Sequence, residues 1–297
     1  MSENFVNLIT APGDAAGIAT VSQSQSGVAV TKDPVAATAR RHGMVVECRD
    51  VGKRFYRYEH RTRTMREFFI RSVLRRPIHV RRAHFSLERF DLQVFRGDSL
   101  ALIGGNGSGK STALRLIAGI YAPSQGTVRT SGRLSAIIDL GIGFHPELTG
   151  IENVAQYGAM LGTSRRAMQS RTQEIIEFSG IGEFASEPIK YYSSGMQARL
   201  AFATAALCVK SDILLIDEVL AVGDRMFQQR CLDYLEKFRA GGGTLIVVSH
   251  IEETVRALCE RCIWLDRGRI RMSGLTADVM DAYSLASAPT TRAHGGT

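Results

Sequence analysis

Residues Gly104 to Thr112 read GGNGSGKST, which fits the spacing GxxxxGK[ST]. The residue types suit one chemistry. Gly104, Gly107 and Gly109 let the backbone wrap a polyphosphate with no Cβ in the way, so that amide N–H groups along Gly105, Asn106 and Ser108 converge on an anion. Lys110 is expected to reach the β- and γ-phosphates of a nucleotide, with Thr112 also on the nucleotide, and the Ser111 hydroxyl to complete a Mg²⁺ shell. Asp217 and Glu218 follow the apolar run Ile213 to Ile216. An acid at the carboxyl end of a parallel strand beside a phosphate loop is placed to hold Mg²⁺, and Glu218, one residue on, to polarise an attacking water as general base. His250 follows a second such run, Leu245 to Val248, and would emerge on the same edge, where an imidazole hydrogen-bonds a γ-phosphate or orients the water.

Two further groups have suitable chemistry. Ser193, Ser194 and Gly195 stand at a helix start and form a second anion-binding end with hydroxyls attached. Phe55 or Tyr56 offers an aromatic face for an adenine, and position alone does not choose between the rings.

These residues need elements to hold them. Ser99 to Ile103 is an apolar strand feeding the loop, entered through the turn Arg96-Gly97-Asp98, and Ala113 to Ile120 has helical spacing. Strands are expected over Met44 to Asp50, Phe85 to Val94, around Val128, and over Leu134 to Leu140, so the core opens with a mixed sheet. Gly141 to Gly150 is a loop; Ile151 to Ser179 then reads as helices, an all-helical insert over about 147–210 that ends with the helix Ala198 to Cys208. Ile263 to Asp266 and Arg269 to Met272 form a closing hairpin around Arg267-Gly268, and Leu275 to Ser287 a last helix. The fold class is therefore α/β, a phosphate-loop core over 43–285 with a mixed and parallel sheet, an antiparallel β subdomain and the helical insert. Residues 1–42, rich in Ala, Gly, Ser, Thr and Val, read as a disordered tail, and 286–297 as a polar one.

Composition bounds the rest. No run of about 18 apolar residues exists and the first 20 residues lack a basic start before an apolar stretch, so neither a membrane span nor a secretory signal is expected. Cys259 and Cys262 form a CxxC with no second pair nearby, which reads as core packing in a reducing compartment. The net charge of +8 comes from one place: Lys53 to Arg82 holds eleven Lys and Arg against Glu59 and Glu67, a surplus that exceeds the whole-chain value. Within it, Met65, Phe68, Phe69 and Val73 share one helical face, with Arg66, Arg71, Arg75 and Arg76 on the others. Such a basic amphipathic helix suits anionic headgroups or a membrane partner; a solvated face or an RNA patch has the same pattern, though no nucleic-acid module accompanies it and no nucleic acid is expected as partner.

The ordered set of phosphate loop, YSSGM at 192–196, LLIDE at 214–218 and SH at 249–250 resembles the nucleotide-binding subunit of ATP-binding cassette transporters over about residues 44–285. GFHPELTG at 143–150, YYSSGMQARLAF at 191–202 and IDEVLAVGD at 216–224 are similar to the subgroup that exports lipid-linked polysaccharides and teichoic acids. The resemblance implies an ATPase acting as a head-to-tail homodimer, with Ser193 and Gly195 of one copy contacting the γ-phosphate bound by the other. It also implies that Asp224 lies in the loop coupling the two sites and that His250 is the switch histidine. A polytopic permease would be the membrane partner, a lipid-linked glycan the cargo, and the cytoplasmic face of the membrane the location. The signature reads YSSGM where the family's common form is LSGGQ, and the glutamine expected between core and insert is missing from Leu140 to Gly150, leaving His145 or Asp139 as substitutes. The chain ends before the C-terminal carbohydrate-binding domain that many members of the subgroup carry, so substrate choice would rest mainly with the permease. The basic helix would neighbour the lipid pyrophosphate. Neutralising Arg71, Arg75 and Arg76 is then expected to impair export while sparing basal ATPase.

Overall fold

The computed structural model describes residues 43–59, 80–138, 140–208, 210–218 and 223–287, with the backbone alone at 57–59 and 80–83. The expected tail 1–42, the basic helix Met65 to Val73 with Arg71, Arg75 and Arg76, and Asp139 lie outside these residues.

A six-stranded sheet carries the molecule. Its strands are β3 (Ser99–Ile103), β5 (Leu134–Ile137), β6 (Ile213–Asp217), β7 (Thr244–Val248), β8 (Arg261–Asp266) and β9 (Arg269–Leu275), in the order β5-β6-β7-β3-β8-β9. All neighbours are parallel except the β8–β9 hairpin. The central strands SLALI, ILLID and TLIVV are unbroken apolar runs because both faces are covered. Their alternation then sorts side chains into two cores. Leu100, Leu102, Leu215, Ile246 and Val248 pack with Leu114 and Ile117 of helix α1 (Lys110–Ile117), whereas Ala101, Ile103, Leu214, Ile216 and Val247 pack on the opposite face with Phe202, Phe227 and Leu235.

The first core is closed by a three-stranded antiparallel sheet of β1 (Met44–Glu59), β2 (Val80–Phe95) and β4 (Gln125–Thr130), ordered β2-β1-β4. β4 accompanies β1 only as far as Gly52; from Lys53 opposite Leu87 to Glu59 opposite Val80 the two long strands pair with each other and with no third strand among the described residues. Both therefore run well past the expected 44–50 and 85–94. The reason is cross-strand pairing without burial: the Arg54 guanidinium lies 4.5 Å from the centroid of the opposed Phe85 ring, a contact that alternation of apolar residues cannot signal. The strand expected over Leu134 to Leu140 stops at Ile137.

The insert holds α2 (Gly150–Met160), α3 (Arg165–Ser179) and two short 3₁₀ turns, and it joins the core through α4 (Ser194–Cys208). Thr149 and Glu152 close a capping box at the start of α2, and Ser164 and the left-handed Gly180 bound α3. Val154, Met168, Ile175, Leu200 and Ala203 form the insert's own core. After β6 come α5 (Arg225–Ala240), α6 (Glu252–Leu258) and α7 (Thr276–Ser287), the last ending at the expected Ser287. Cys259 and Cys262 are buried free thiols, the second pushed up to about 12 by burial, in keeping with the reading as core packing.

Candidate active site

Parallel register puts three strand ends on one edge. Leu102 of β3 and Asp217 of β6 both stand opposite Val248 of β7, so the phosphate-loop sequence, the Asp217-Glu218 pair and Ser249-His250 all leave the sheet at its carboxyl side.

The loop after β3 is shaped by close backbone approach. Gly109 caps α1 with φ +108°, and a Cβ there would stand 2.5 Å from Ser86 O. Gly104 has φ +141°, and its Cβ would collide with Leu265 O. Both positions exclude any other residue. The β8–β9 turn backs the loop through Gly268 N–H donating to Ser108 O at 2.9 Å, and Ser86 Oγ meets Thr112 Oγ1 at 2.7 Å. Lys110 is only 5% exposed, and its ammonium donates to Gly104 O at 2.8 Å and Gly105 O at 3.1 Å. Burial holds it below the usual lysine range against the opposing pull of Glu218 and Asp217. Asn106 and Gly107 sit exposed at the crest, and Ser108 Oγ is buried with no hydrogen-bond partner among the described residues.

Asp217 ends β6 half-buried, with Ser111 as the hydrogen-bond partner of its carboxylate. Burial pushes its pKa up, and Ser111, Arg115 and Lys110 only partly offset this. Asp217 Oδ1 has no partner among the described residues although it is buried. A hydroxyl beside a carboxylate oxygen left unbonded is a hard oxygen pair that fits Mg²⁺, a cation that needs only one or two protein ligands and keeps the rest of its shell as water and phosphate. Glu218 turns sharply, at φ +51°, with its N–H donating to Val248 O at 2.9 Å. A left-handed glutamate is strained backbone, of the kind that clusters at reacting sites. Its side chain meets His250, with Nε2 to Oε1 at 2.7 Å and both groups close to half exposed. Sequence reasoning put both on one edge and did not foresee that they touch.

The other expected residues come from other elements. Ser193 Oγ accepts from Met196 N–H at 3.2 Å and so caps α4; Ser193 and Ser194 are exposed, and a Cβ at the partly buried Gly195 would meet Ser193 Oγ at 3.9 Å, an ordinary contact. No hydrogen bond or ion pair among the described residues joins them to Gly104–Thr112. Phe55 is edge-on to Tyr121 at 5.5 Å, with Lys53 Nζ 5.2 Å from each ring, and strand alternation sends the exposed Tyr56 to the other face. His145 is engaged by Asn153, whose Oδ1 accepts its N–H at 2.6 Å and whose Nδ2 donates to its carbonyl at 3.1 Å. Asp224 caps α5 by accepting from Phe227 N–H at 2.9 Å and pairs with Arg199 of α4; these contacts, the capping bond foremost, hold its carboxyl below the usual range. Asn153, Tyr121 and Arg199 were missed by sequence reasoning. For Asn153 alone there was a signal, a poor helix former inside a helical run.

Among known proteins, the ABC transporter family profile matches residues 87–221. The O-antigen export system ATP-binding protein RfbB of Klebsiella pneumoniae is 45% identical over 207 residues, which cover 70% of this chain and 84% of that protein. The teichoic acids export ATP-binding protein TagH of Staphylococcus saprophyticus is 39% identical over 207 residues, 70% of this chain and 78% of its own. Among solved structures, a dimeric post-hydrolysis state of the ATP-binding cassette MJ0796 bound to ADP and Pi superposes with a TM-score of 0.62 at 22% identity, covering 78% of this chain and 98% of that one; it bears on the fold alone. With a phosphate loop, an acidic pair and a histidine on one edge of this fold, and relatives of this closeness over most of their length, the chain belongs to the ATP-binding proteins of the ABC transporter family and is an ATPase.

Proposed function

We propose that this chain drives export of a lipid-linked polysaccharide through a separate membrane-spanning permease, working as a head-to-tail pair of copies. The observation that carries the catalytic part is the 2.7 Å contact of Glu218 with His250 on the edge where Asp217 and the Lys110 loop converge. The triphosphate lies against the loop amides from Gly104 to Gly109 and the amino end of α1, with Lys110 leaving its carbonyl partners for the β- and γ-phosphates. Ser111 and Asp217 would hold Mg²⁺, which when bound neutralises charge on the β- and γ-oxygens. Glu218 accepts the proton of a water whose oxygen bonds to the γ-phosphorus as the bond to the ADP oxygen breaks, and His250 keeps the carboxylate aimed and faces the departing phosphate. Phe55 or Tyr56 covers the adenine.

Ser193 stands exposed and Gly195 partly so at the start of a helix, with no hydrogen bond or ion pair to their own phosphate loop among the described residues, which supports their acting on the triphosphate held by a second copy. Two copies would then close around ATP and separate once the γ-phosphate is cut loose. The permease partner is supported by exposed apolar side chains on and beside the insert, Ile142, Met160, Phe184 and Tyr191 among them, and by the described residues having no helix long and apolar enough to cross a membrane. The cargo rests on the names of the O-antigen and teichoic acid relatives. Peripheral attachment at the cytoplasmic face, through the permease, follows.

The test is reconstitution with the permease in proteoliposomes. Lipid-linked polysaccharide is expected to stimulate ATP hydrolysis and to cross the bilayer, and Glu218→Gln to abolish both. Equal stimulation by unrelated amphiphilic drugs, or copurification with ribosomes in place of a polytopic protein, would overturn the assignment.

A further inference from the structure

The turn that follows α1 grips the strand carrying Phe55. Ser124 N–H donates to Gly52 O at 2.8 Å, Ser124 Oγ accepts from Arg54 N–H at 3.1 Å, and Lys53 Nζ donates to Ala122 O at 2.7 Å. Three consecutive residues of β1 are thereby tied to 122–124, just where β4 ceases to accompany the strand. Tyr121 heads the same turn. Its N–H donates to Arg115 O at 3.1 Å and its ring lies half-buried against the first core, so it is fixed from the α1 side. Against this ring Phe55 stands edge-on, with centroids 5.5 Å apart and planes at 73°, and the Lys53 ammonium is 5.2 Å from both. Edge-to-face geometry is attractive because the positive rim of one ring meets the negative face of the other, and a cation beside them adds to it. Phe55 nonetheless keeps 38% of its surface exposed, so that part of the ring stays available to a ligand.

We infer that Tyr121 and Lys53 are positioning residues for the nucleotide base: they set the Phe55 ring before the base arrives. The inference rests on the reading, proposed above, that a ring of this ribbon covers the adenine, and takes Phe55, the ring this turn holds, for that part. A side chain on a two-stranded ribbon without such neighbours would sweep its rotamers and lose that freedom on binding; a ring already placed loses less. The effect is confined to the base. The bond that breaks lies at the γ-phosphate, on the far side of the nucleotide, so a loosened ring weakens ATP binding and leaves the chemical step alone.

Full-chain variants are compared by equilibrium binding of ATP and of inorganic tripolyphosphate, which has no base, beside steady-state turnover. Tyr121→Leu, which keeps apolar cover over the core, is expected to raise the dissociation constant and KM for ATP about fivefold, with kcat within about twofold and tripolyphosphate affinity unchanged. Tyr121→Phe keeps the ring and should recover most of the loss. Lys53→Gln should weaken ATP about twofold. Added to Phe55→Ala, Tyr121→Leu should cause no further loss, since no ring is left to place. Wild-type ATP affinity in Tyr121→Leu, an equal loss for tripolyphosphate, a second loss on top of Phe55→Ala, or a loss that tracks a fall in melting temperature would each overturn the inference and leave the ATPase intact. Weakened ATP binding in Tyr56→Ala but not in Phe55→Ala would overturn it too, while keeping the adenine on the ribbon. Wild-type ATP affinity in both of those variants would instead remove the reading beneath it.

Discussion

Glu218 shows what a single residue costs and contributes. Its left-handed backbone is unfavourable for any side chain with a Cβ, yet it swings the carboxylate to His250. Glu218→Gln is expected to leave ATP affinity within about twofold while lowering the hydrolysis rate at least about 100-fold, read by equilibrium binding beside steady-state turnover. Asp217 carries the opposite sign of effect. Its folded pKa lies above the unfolded value, so its contribution to stability is present below the unfolded pKa and is lost as pH rises through the folded one. Asp217→Asn is therefore expected to raise the melting temperature at neutral pH without Mg²⁺, and to remove any Mg²⁺-dependent gain with nucleotide; a lower melting temperature would contradict the burial argument. Gly109→Ala puts a Cβ against Ser86 O and should cost at least about 2 kcal/mol, whereas Gly105→Ala, with nothing within 4 Å, should melt near the wild type. Lys110, Asp217, Glu218 and His250 were legible because their types follow strand patterns at fixed offsets. The Glu218–His250 contact was not, since it joins two strand ends through a backbone conformation that no spacing encodes.

At the scale of elements, β3, β6 and β7 could be read from sequence because burial on both faces leaves unbroken apolar runs. The start of α4 at Ser194 falls at the helix start read from Ser193-Ser194-Gly195, ahead of the apolar stretch from Ala198, and the Ser193 cap sets it. The stretch His145–Thr149 owes its shape to one side chain. Asn153, fully buried, accepts from His145 N–H and donates to the carbonyls of His145, Leu148 and Thr149. Asn153→Ala strands these groups and is expected to cost about 2 to 4 kcal/mol and to open the 141–149 segment to limited proteolysis. Asn153→Asp keeps the acceptor and loses the donors, and should fall between.

At the scale of the whole molecule, two of the three cores are linked by α4, which gives Phe202 and Ala206 to the sheet core and Leu200 and Ala203 to the insert. Buried on most sides, this helix ties the Ser193 end to the sheet, so the insert is expected to turn with it as a rigid piece. Glu218→Gln with ATP and Mg²⁺ should elute at twice the monomer mass in size-exclusion chromatography, and Lys110→Ala should not; a Glu218→Gln monomer under saturating ATP would sink the paired-copy reading. The β1–β2 ribbon beyond Gly52 has a different consequence. Seven residues of paired strand, without a third neighbour among the described residues, extend about 23 Å, so whatever grips the far end would act on the nucleotide core with the mechanical advantage of a crowbar. On the proposed reading, in which Phe55 or Tyr56 of that ribbon covers the adenine, a tug at the tip would reach the base, and through the Ser86–Thr112 contact it would reach the phosphate loop as well.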